Sequence, residues 1–350
     1  MRKDGAPRAK KSACGRGERA KRVEPLHVGV GPHAQQKKRT VVMRYLLALS
    51  VLLVAQAPAK PQAPAKPQAP AQPRGITVGI EMRNVRLHVA ADAILDVKWI
   101  SGHLRSASAG PPVFDDQSSF VMDIDDAELG IDAASLTALV NRAFDYKGAA
   151  LSDVRVSFEG GSLVQHGKLK KGITVPFSIV ASVAATPEGL MLMHPLKVKT
   201  AGIPSAKLMS MFGIELDEIV KSRPDRGITF KDNDLFLDPS KMLPPPETRG
   251  KLSKVFVRGD RLIQIFGKGV TPAFAAGKGN YIWFRGGSIR FGKLIMSEAD
   301  LKLVDMDPKD PFDFYSEQYN KQLVAGYSKN TPDHALRTYM PDFSDLGAKQ

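Results

Sequence analysis

The stretch Ile76-Thr77-Val78-Gly79-Ile80-Glu81-Met82-Arg83-Asn84-Val85-Arg86-Leu87-His88-Val89 decides the fold. Ile76, Val78, Ile80 and Met82 alternate with polar neighbours, which places the apolar side chains on one face of an extended strand. After Asn84 the alternation resumes one step out of phase, at Val85, Leu87 and Val89. The same period recurs at Leu95, Val97 and Trp99, at Met122 and Ile124, and at Val154, Val156 and Phe158. Each run predicts a half-buried strand. Residues 106–118, with Gly110-Pro111-Pro112, read as a loop.

Downstream, Leu163–Leu196 predicts an antiparallel meander with a turn at Thr186-Pro187-Glu188-Gly189. Ile228-Thr229-Phe230 and Leu235-Phe236-Leu237 predict a hairpin around Asp232-Asn233-Asp234. Past Pro244-Pro245-Pro246 come Val255/Val257 and Ile263/Ile265 about a Gly259-Asp260 turn. Tyr281–Arg285 and Ser288–Phe291 should then pair about Gly286-Gly287. Leu294–Met296 and Leu301–Val304 continue the strands.

Three helical patterns interrupt them. Asp132 can cap Ala133–Phe144, whose stripe is Leu136, Leu139, Val140 and Phe144. A second helix opens at Pro204 and runs to about Lys221, with Leu208, Met209, Phe212, Leu216 and Ile219 among its apolar residues. A third is signalled by Asp310, Pro311 and Gly326, with Phe312, Tyr315, Tyr319 and Leu323 as its stripe. Mostly strand follows strand. The expected class is α+β, a large curved antiparallel β-sheet wrapped around one or two amphipathic helices.

Upstream of Gly75 the chain changes character. Met43-Arg44 leads into the apolar run Tyr45–Ala55, short of the roughly 20 residues a membrane span requires. Residues 43–57 therefore read as a signal peptide or short anchor, and the chain beyond them is expected to be periplasmic or otherwise exported. Residues 58–74 are a Pro/Ala/Gln-rich linker of polyproline type, within three hexapeptide repeats over 56–73. Residues 1–42 hold twelve Lys/Arg against three Asp/Glu and read as a basic extension, or as sequence upstream of a true start at Met43. A β-rich domain is expected over 75–327, with a sub-boundary near 244–250, and a C-terminal tail over 328–350.

The formal charge of +14 is concentrated at this N-terminal end: residues 75–350 carry 34 basic and 33 acidic side chains. That part lacks the charge that phosphate-backbone binding requires, so no nucleic-acid partner is expected. The one cysteine, Cys14, precedes the domain. No nucleophile elbow, phosphate loop, dinucleotide fingerprint or His-Glu-x-x-His is present. No cofactor is expected, and no histidines share the local spacing of metal ligands. Asp123, Asp125, Asp126 and Glu128 read as a solvated strand face. Asp305, Asp307, Asp310 and Asp313 read as turn and capping residues. Lys168, Lys170 and Lys171 form a basic cluster suited to lipid headgroups or a membrane surface.

From Ala133–Phe144 through Gly172-Ile173-Thr174-Val175-Pro176-Phe177, Gly189-Leu190, the Pro204 helix and Gly227-Ile228-Thr229-Phe230, the order of elements over about 120–240 resembles the LmeA-type phospholipid-binding proteins, related to tubular lipid-binding folds. The resemblance implies a sheet rolled about a helix, an apolar groove and no catalytic residue. The expected function is therefore binding of a phospholipid or other amphiphile in the cell envelope. The expected lining is Leu136, Leu139, Val140, Leu208, Met209, Phe212, Leu216 and Ile219, with Lys168, Lys170 and Lys171 at the headgroup. Two alternatives are a scaffolding envelope protein with a filled core, and a hydrolase with a nucleophile beside His166 or His194.

Overall fold

The alternating stretch forms β1 (Thr77–Ala90), followed by β2 (Ala93–Ser106) and β3 (Phe120–Asp132) in an antiparallel run. The computed structural model describes residues 77–347 except 150, 172, 201–221 and 233. The basic extension, the signal segment, the linker and the helix expected from Pro204 lie outside the described residues.

Helix α1 (Ala133–Phe144) begins where Asp132 predicts it, the Asp132 carboxylate accepting from the Ser135 N–H at 2.7 Å. The expected meander follows as β4 (Leu151–Glu159), β5 (Ser162–Lys171), β6 (Ile173–Ala185) and β7 (Met191–Thr200). The hairpin β8 (Ile228–Lys231) and β9 (Asp234–Leu237) comes after it. A single helical turn, α2 (Pro239–Met242), and the proline run lead to β10 (Glu247–Arg249), β11 (Leu252–Arg258) and β12 (Arg261–Phe266). Then come β13 (Tyr281–Arg285), β14 (Ser288–Phe291), β15 (Leu294–Ser297), β16 (Asp300–Asp305) and β17 (Phe312–Tyr315). Helix α3 (Tyr319–Ala325), β18 (Tyr327–Asn330) and β19 (Leu336–Met340) complete the chain.

These strands form an eleven-stranded sheet, ordered β11-β12-β3-β2-β1-β13-β16-β19-β18 with β10 against β3 and β17 against β1. A six-stranded sheet is ordered β4-β5-β6-β7-β9-β8, and β14–β15 stand apart as a ribbon. Pairing is antiparallel except for β1–β17, β3–β10 and β16–β19. The class is α+β with mixed, mainly antiparallel sheets. Helix α1 is tied to the second sheet: Asn141 exchanges hydrogen bonds with the backbone of Val154, and the Thr137 hydroxyl accepts from the Val156 N–H. Among the described residues no helix is long and apolar enough to cross a membrane.

The phase shift expected at Asn84 is present, with Asn84 at φ 51° and Val78, Ile80, Met82 and Val85 all in one core. It is also where β1 changes neighbour. Gly79–Arg83 pair with β13, whereas Val85–His88 pair with β17. Comparable shifts interrupt β2 between Val97 and Trp99, and the β2–β3 pairing at Ser101/Gly102, where Asp125 is the extra residue. These two β2–β3 shifts are bulges that bend their strands, whereas at Asn84 the left-handed residue changes the phase with the β1–β2 register unbroken. The acidic run of β3 lies on the outer face, with Arg105 against Asp123 at 2.8 Å, His103 against Asp125 at 3.0 Å and Lys98 against Glu128 at 3.0 Å.

Two expectations are corrected. Phe312–Tyr315 are not the first turn of a helix but strand β17, all four residues buried. A helix would have turned part of that tetrapeptide toward water; the chain turns helical only after it, in a 3-10 turn over Ser316–Gln318 and then the α-helix Tyr319–Ala325, stopped at Gly326. Asp310 therefore caps no helix, while Asp305 and Asp313 are buried. Secondly, β13 and β14 do not pair. The Gly286-Gly287 bend closes around Ala299, and β14 pairs with β15. A side chain at Gly287 would strike the Thr77 carbonyl oxygen of β1, so the turn is held against the sheet. On β12, Leu262, Ile263 and Phe266 are all buried, Leu262 and Phe266 within the main core.

The bend at Asp125 requires Gly102, because a Cβ there would collide with the Asp123 carbonyl oxygen. Gly102→Ala should lower the unfolding free energy by about 2 kcal/mol or more in urea titrations. An unchanged midpoint would mean that the bulge relaxes freely.

Candidate functional site

The left-handed Asn84 of β1 and the bulges of β2 and β3 keep the apolar side chains of both halves of these strands on one side. Ile80, Met82, Leu87 and Val89 of β1 face the same space as Leu95, Val97, Ile100 and Leu104 of β2. Phe120 to Ile131 of β3 continue this wall, and Leu262 and Phe266 of β12 close one flank while Ile282 and Phe284 of β13 close the other. Leu136 and Leu139 project from α1, and residues 239–250 border the space with Met242, Leu243 and the three prolines. The result is a cavity of about 120 Å³ with no charged side chain among its described lining residues. Its more exposed members, Met242, Leu243 and Pro244 to Pro246, mark the side open to solvent.

Five polar side chains reach the wall: Gln117, Ser240, Thr248, Gln264 and Ser316. Gln117 Nε2 donates to Ser316 Oγ at 2.9 Å, and the Ser316 hydroxyl donates to the His88 carbonyl at 3.4 Å. Ser240 Oγ bonds Asp238 Oδ1 at 2.5 Å, and Thr248 Oγ1 donates to the Pro246 carbonyl at 3.2 Å. Gln264, 8 % exposed, is the fifth.

Of the residues expected to bind lipid, Leu136 and Leu139 line this cavity. Val140 is buried in the same core without lining it. Leu208, Met209, Phe212, Leu216 and Ile219 lie outside the described residues. Lys168 and Lys170 are exposed on β5 and are not among the lining residues. Lys168 instead meets Asp153 at 2.8 Å. Lys171 belongs to the same strand, which is internal to its sheet, so these lysines do not guard an edge. The strands of the large sheet supply most of the wall, and sequence reading missed them as a site because each run looks like ordinary core.

The histidines named for a hydrolase stand elsewhere. His194 Nδ1 meets Asp234 Oδ1 at 2.7 Å, and Ser182 is the residue opposite His194 across β6–β7. The Ser182 hydroxyl, however, points at the His194 carbonyl, 3.5 Å away, on a face that does not line the cavity. His166 is exposed on β5. Among the described residues no group of three or more His, Cys, Asp or Glu is placed to hold a metal ion.

Behind the Ser316 end lies a buried polar knot that anchors β17. His88 Nε2 and Asp313 Oδ1 are 2.5 Å apart, and Gln322, fully buried, accepts from the Tyr315 N–H and donates to the Asp313 and Pro341 carbonyls. Asp342 Oδ1 accepts from the Asp313 N–H at 2.7 Å. Burial, with the nearby carboxylates Asp305, Asp310 and Asp313, pushes the Asp342 carboxyl up to about 7.

No family model, no curated protein and no solved structure matches this chain. Its function is therefore argued from the cavity itself.

Because the folded Asp342 carboxyl binds its proton more tightly than an unfolded one, its contribution to stability is full below about pH 4 and is lost as the pH rises through about 7. Asp342→Asn keeps the oxygen acceptor and removes the charge. It should melt a few degrees above the unsubstituted protein at pH 8, with the gap narrowing as the pH falls below 7 and closed by about pH 4 in calorimetry; a gap as wide at pH 4 as at pH 8 would contradict this.

Proposed function

We propose that this is an exported protein that binds one hydrocarbon chain of an amphiphile in the cavity beneath β1–β3, without performing chemistry on it. The observation that carries the reading is the cavity: walled by aliphatic and aromatic side chains, free of charge among its described lining, and bordered by a partly exposed proline run. Such a space offers transfer from water as its driving force, about 0.8 kcal/mol per methylene.

Its size bears on the ligand. A cavity of about 150 Å³ accepts one benzene ring, so about 120 Å³ suits the end of a single chain and not a pair of tails. The remainder of the molecule would leave past Met242 and Pro244. The order α1, four-strand meander, β8–β9 hairpin agrees with the resemblance to tubular lipid-binding proteins. Export rests on the segment 43–57, and the headgroup role of Lys168, Lys170 and Lys171 on their charge. Their absence from the lining favours recognition of the chain over recognition of an anionic head.

A homologous series of straight-chain alcohols tests the reading. Affinity for the purified protein should rise roughly fourfold per added methylene and then level off once the chain fills the cavity. Leu139→Trp, which fills the wall from α1, should bring the plateau to shorter chains. Affinity independent of chain length would remove the cavity as the binding site.

A further inference from the structure

The cavity is walled by the inner face of the large sheet, and the outer face of the same sheet carries a second feature. Register places Glu81, Trp283, Lys302, Arg337 and Lys329 side by side across β1, β13, β16, β19 and β18. The next row on that face is Arg83, Tyr281, Val304, Tyr339 and Tyr327. The residues between them in sequence, such as Ile282, Phe284, Leu301 and Leu303, belong to the core, so these two rows point away from it. Cations lie on the rings. Lys302 Nζ is 3.6 Å from the centre of the Tyr281 ring and 4.4 Å from that of Trp283, the Arg285 guanidinium is 4.3 Å from Trp283, and Lys329 Nζ is 5.1 Å from Tyr327. Trp283 is fixed by its Nε1, which donates to Asp300 Oδ1 at 2.7 Å, and Arg337 donates to the same oxygen at 2.8 Å.

Charge on this face is unbalanced, unlike that of residues 75–350 as a whole. Arg285, Lys302, Arg337 and Lys329 share it with Glu81 and Asp300, while Arg83 is taken up by the Ala275, Gly277 and Gly279 carbonyls and Asp333 stands on the turn beyond Lys329. Burial, and then the Arg337 charge, hold the Lys302 amine below the ordinary lysine range. A partner of this face is therefore anionic, and the rings narrow its form. A nucleic-acid base stacks on an open ring face. Here cations sit over Tyr281 and Trp283, and Tyr327 and Tyr339 stack on each other with centroids 4.8 Å apart. Lys and Arg over Trp and Tyr is the composition that suits the headgroup layer of an anionic bilayer, where phosphates meet the cations and rings lie at headgroup depth. We propose that the outer face of β13–β16–β19–β18 docks on an anionic membrane surface, with Trp283 at the interface. The apolar segment 45–55 leads into β1 of this sheet through the linker 58–74, so a bilayer that holds that segment lies within reach of the face.

The experiment uses the full chain and vesicles of phosphatidylglycerol or phosphatidylcholine brominated on their acyl chains, which quench a tryptophan at the interface. The protein has two tryptophans, and Trp99 is 1 % exposed, so Trp99→Phe isolates Trp283. Phosphatidylglycerol vesicles should quench Trp283, phosphatidylcholine vesicles should not, and about 0.5 M NaCl should remove the effect. Arg285→Gln and Lys329→Gln, both at exposed positions, should each raise the lipid concentration for half-quenching about fivefold with the melting temperature unchanged. If Trp99→Phe does not fold, the unsubstituted protein takes its place, and Trp283→Phe must abolish the quenching. Vesicle capture without quenching of Trp283 would place the contact in residues 1–57 and overturn the proposal. So would equal quenching by phosphatidylcholine, or quenching that both charge variants leave unchanged. Poly-uridylate that shifts the Trp283 emission where vesicles do not would assign the face to nucleic acid and overturn it as well. The alcohol series reports on the cavity separately, so neither result decides the other.

Discussion

A strand that keeps strict period two must send its apolar face to one side along its whole length, and a one-residue slip sends every later side chain to the other. In β1, β2 and β3 the pattern slips in mid-strand, yet the apolar residues before and after the slip stay in one core. This is the constraint on which the rest depends. In β1 the slip is absorbed by the left-handed backbone of Asn84, with the β1–β2 register unbroken across it, and in β2 and β3 by bulges, between Val97 and Trp99 and at Asp125, which bend the strands that carry them. The bend lets two halves of three strands face a common space. Glycine makes the closest approach feasible where β2 meets the Asp125 bulge, and Gly267, at φ 73°, sits so near the Asp125 carbonyl that a side chain there would collide with it.

The same bend explains the C-terminal closure. Beyond Asn84, β1 turns from β13 and its second half becomes available to β17. Asn84 marks the branch with its own bond, Nδ2 donating to Asn280 Oδ1 at 2.7 Å. A strand inserted there is covered on both faces, so its polar members need internal partners. Asp313 has His88, and Gln322 serves three backbone groups around it. Asp342 accepts from the Asp313 N–H, and burial among other acids raises its carboxyl to about 7. The polar knot thus fixes the segment that ends at Ser316, and through Ser316 and Gln117 it fixes one end of the cavity.

Local signals were legible wherever a short segment decides its own state. The phase shift at Asn84, the Asp132 cap, the meander and the β8–β9 hairpin follow from spacing and turn chemistry alone. Phe312–Tyr315 was misread because its Pro311 start and its spacing to Tyr319 fit a helix, while the burial of all four residues depends on β1, more than 200 positions away. In Arg261-Leu262-Ile263-Gln264-Ile265-Phe266 either phase is apolar, so the sequence alone does not say which side chains meet the cavity; Leu262, Gln264 and Phe266 line it, and Ile263 is buried without lining it. Leu136 and Leu139 were found because a helix stripe advertises its buried face; the strand residues around them were read as core and gave no sign of the space between.

An unfilled interior carries a thermodynamic burden that bears on why it is there. At about 24 cal/mol per Å³, a cavity of about 120 Å³ weakens the fold by roughly 3 kcal/mol relative to a packed equivalent. That is a sizeable share of the roughly 5–15 kcal/mol by which folded domains are stable. Larger side chains at Ile80, Val97 or Leu139 would recover part of it, since volume-matched apolar packing is easily reached. A chain that fills the volume relieves that penalty. Binding to the folded state alone stabilises it by mass action, so the features that weaken the empty protein are those that a bound ligand would turn into affinity.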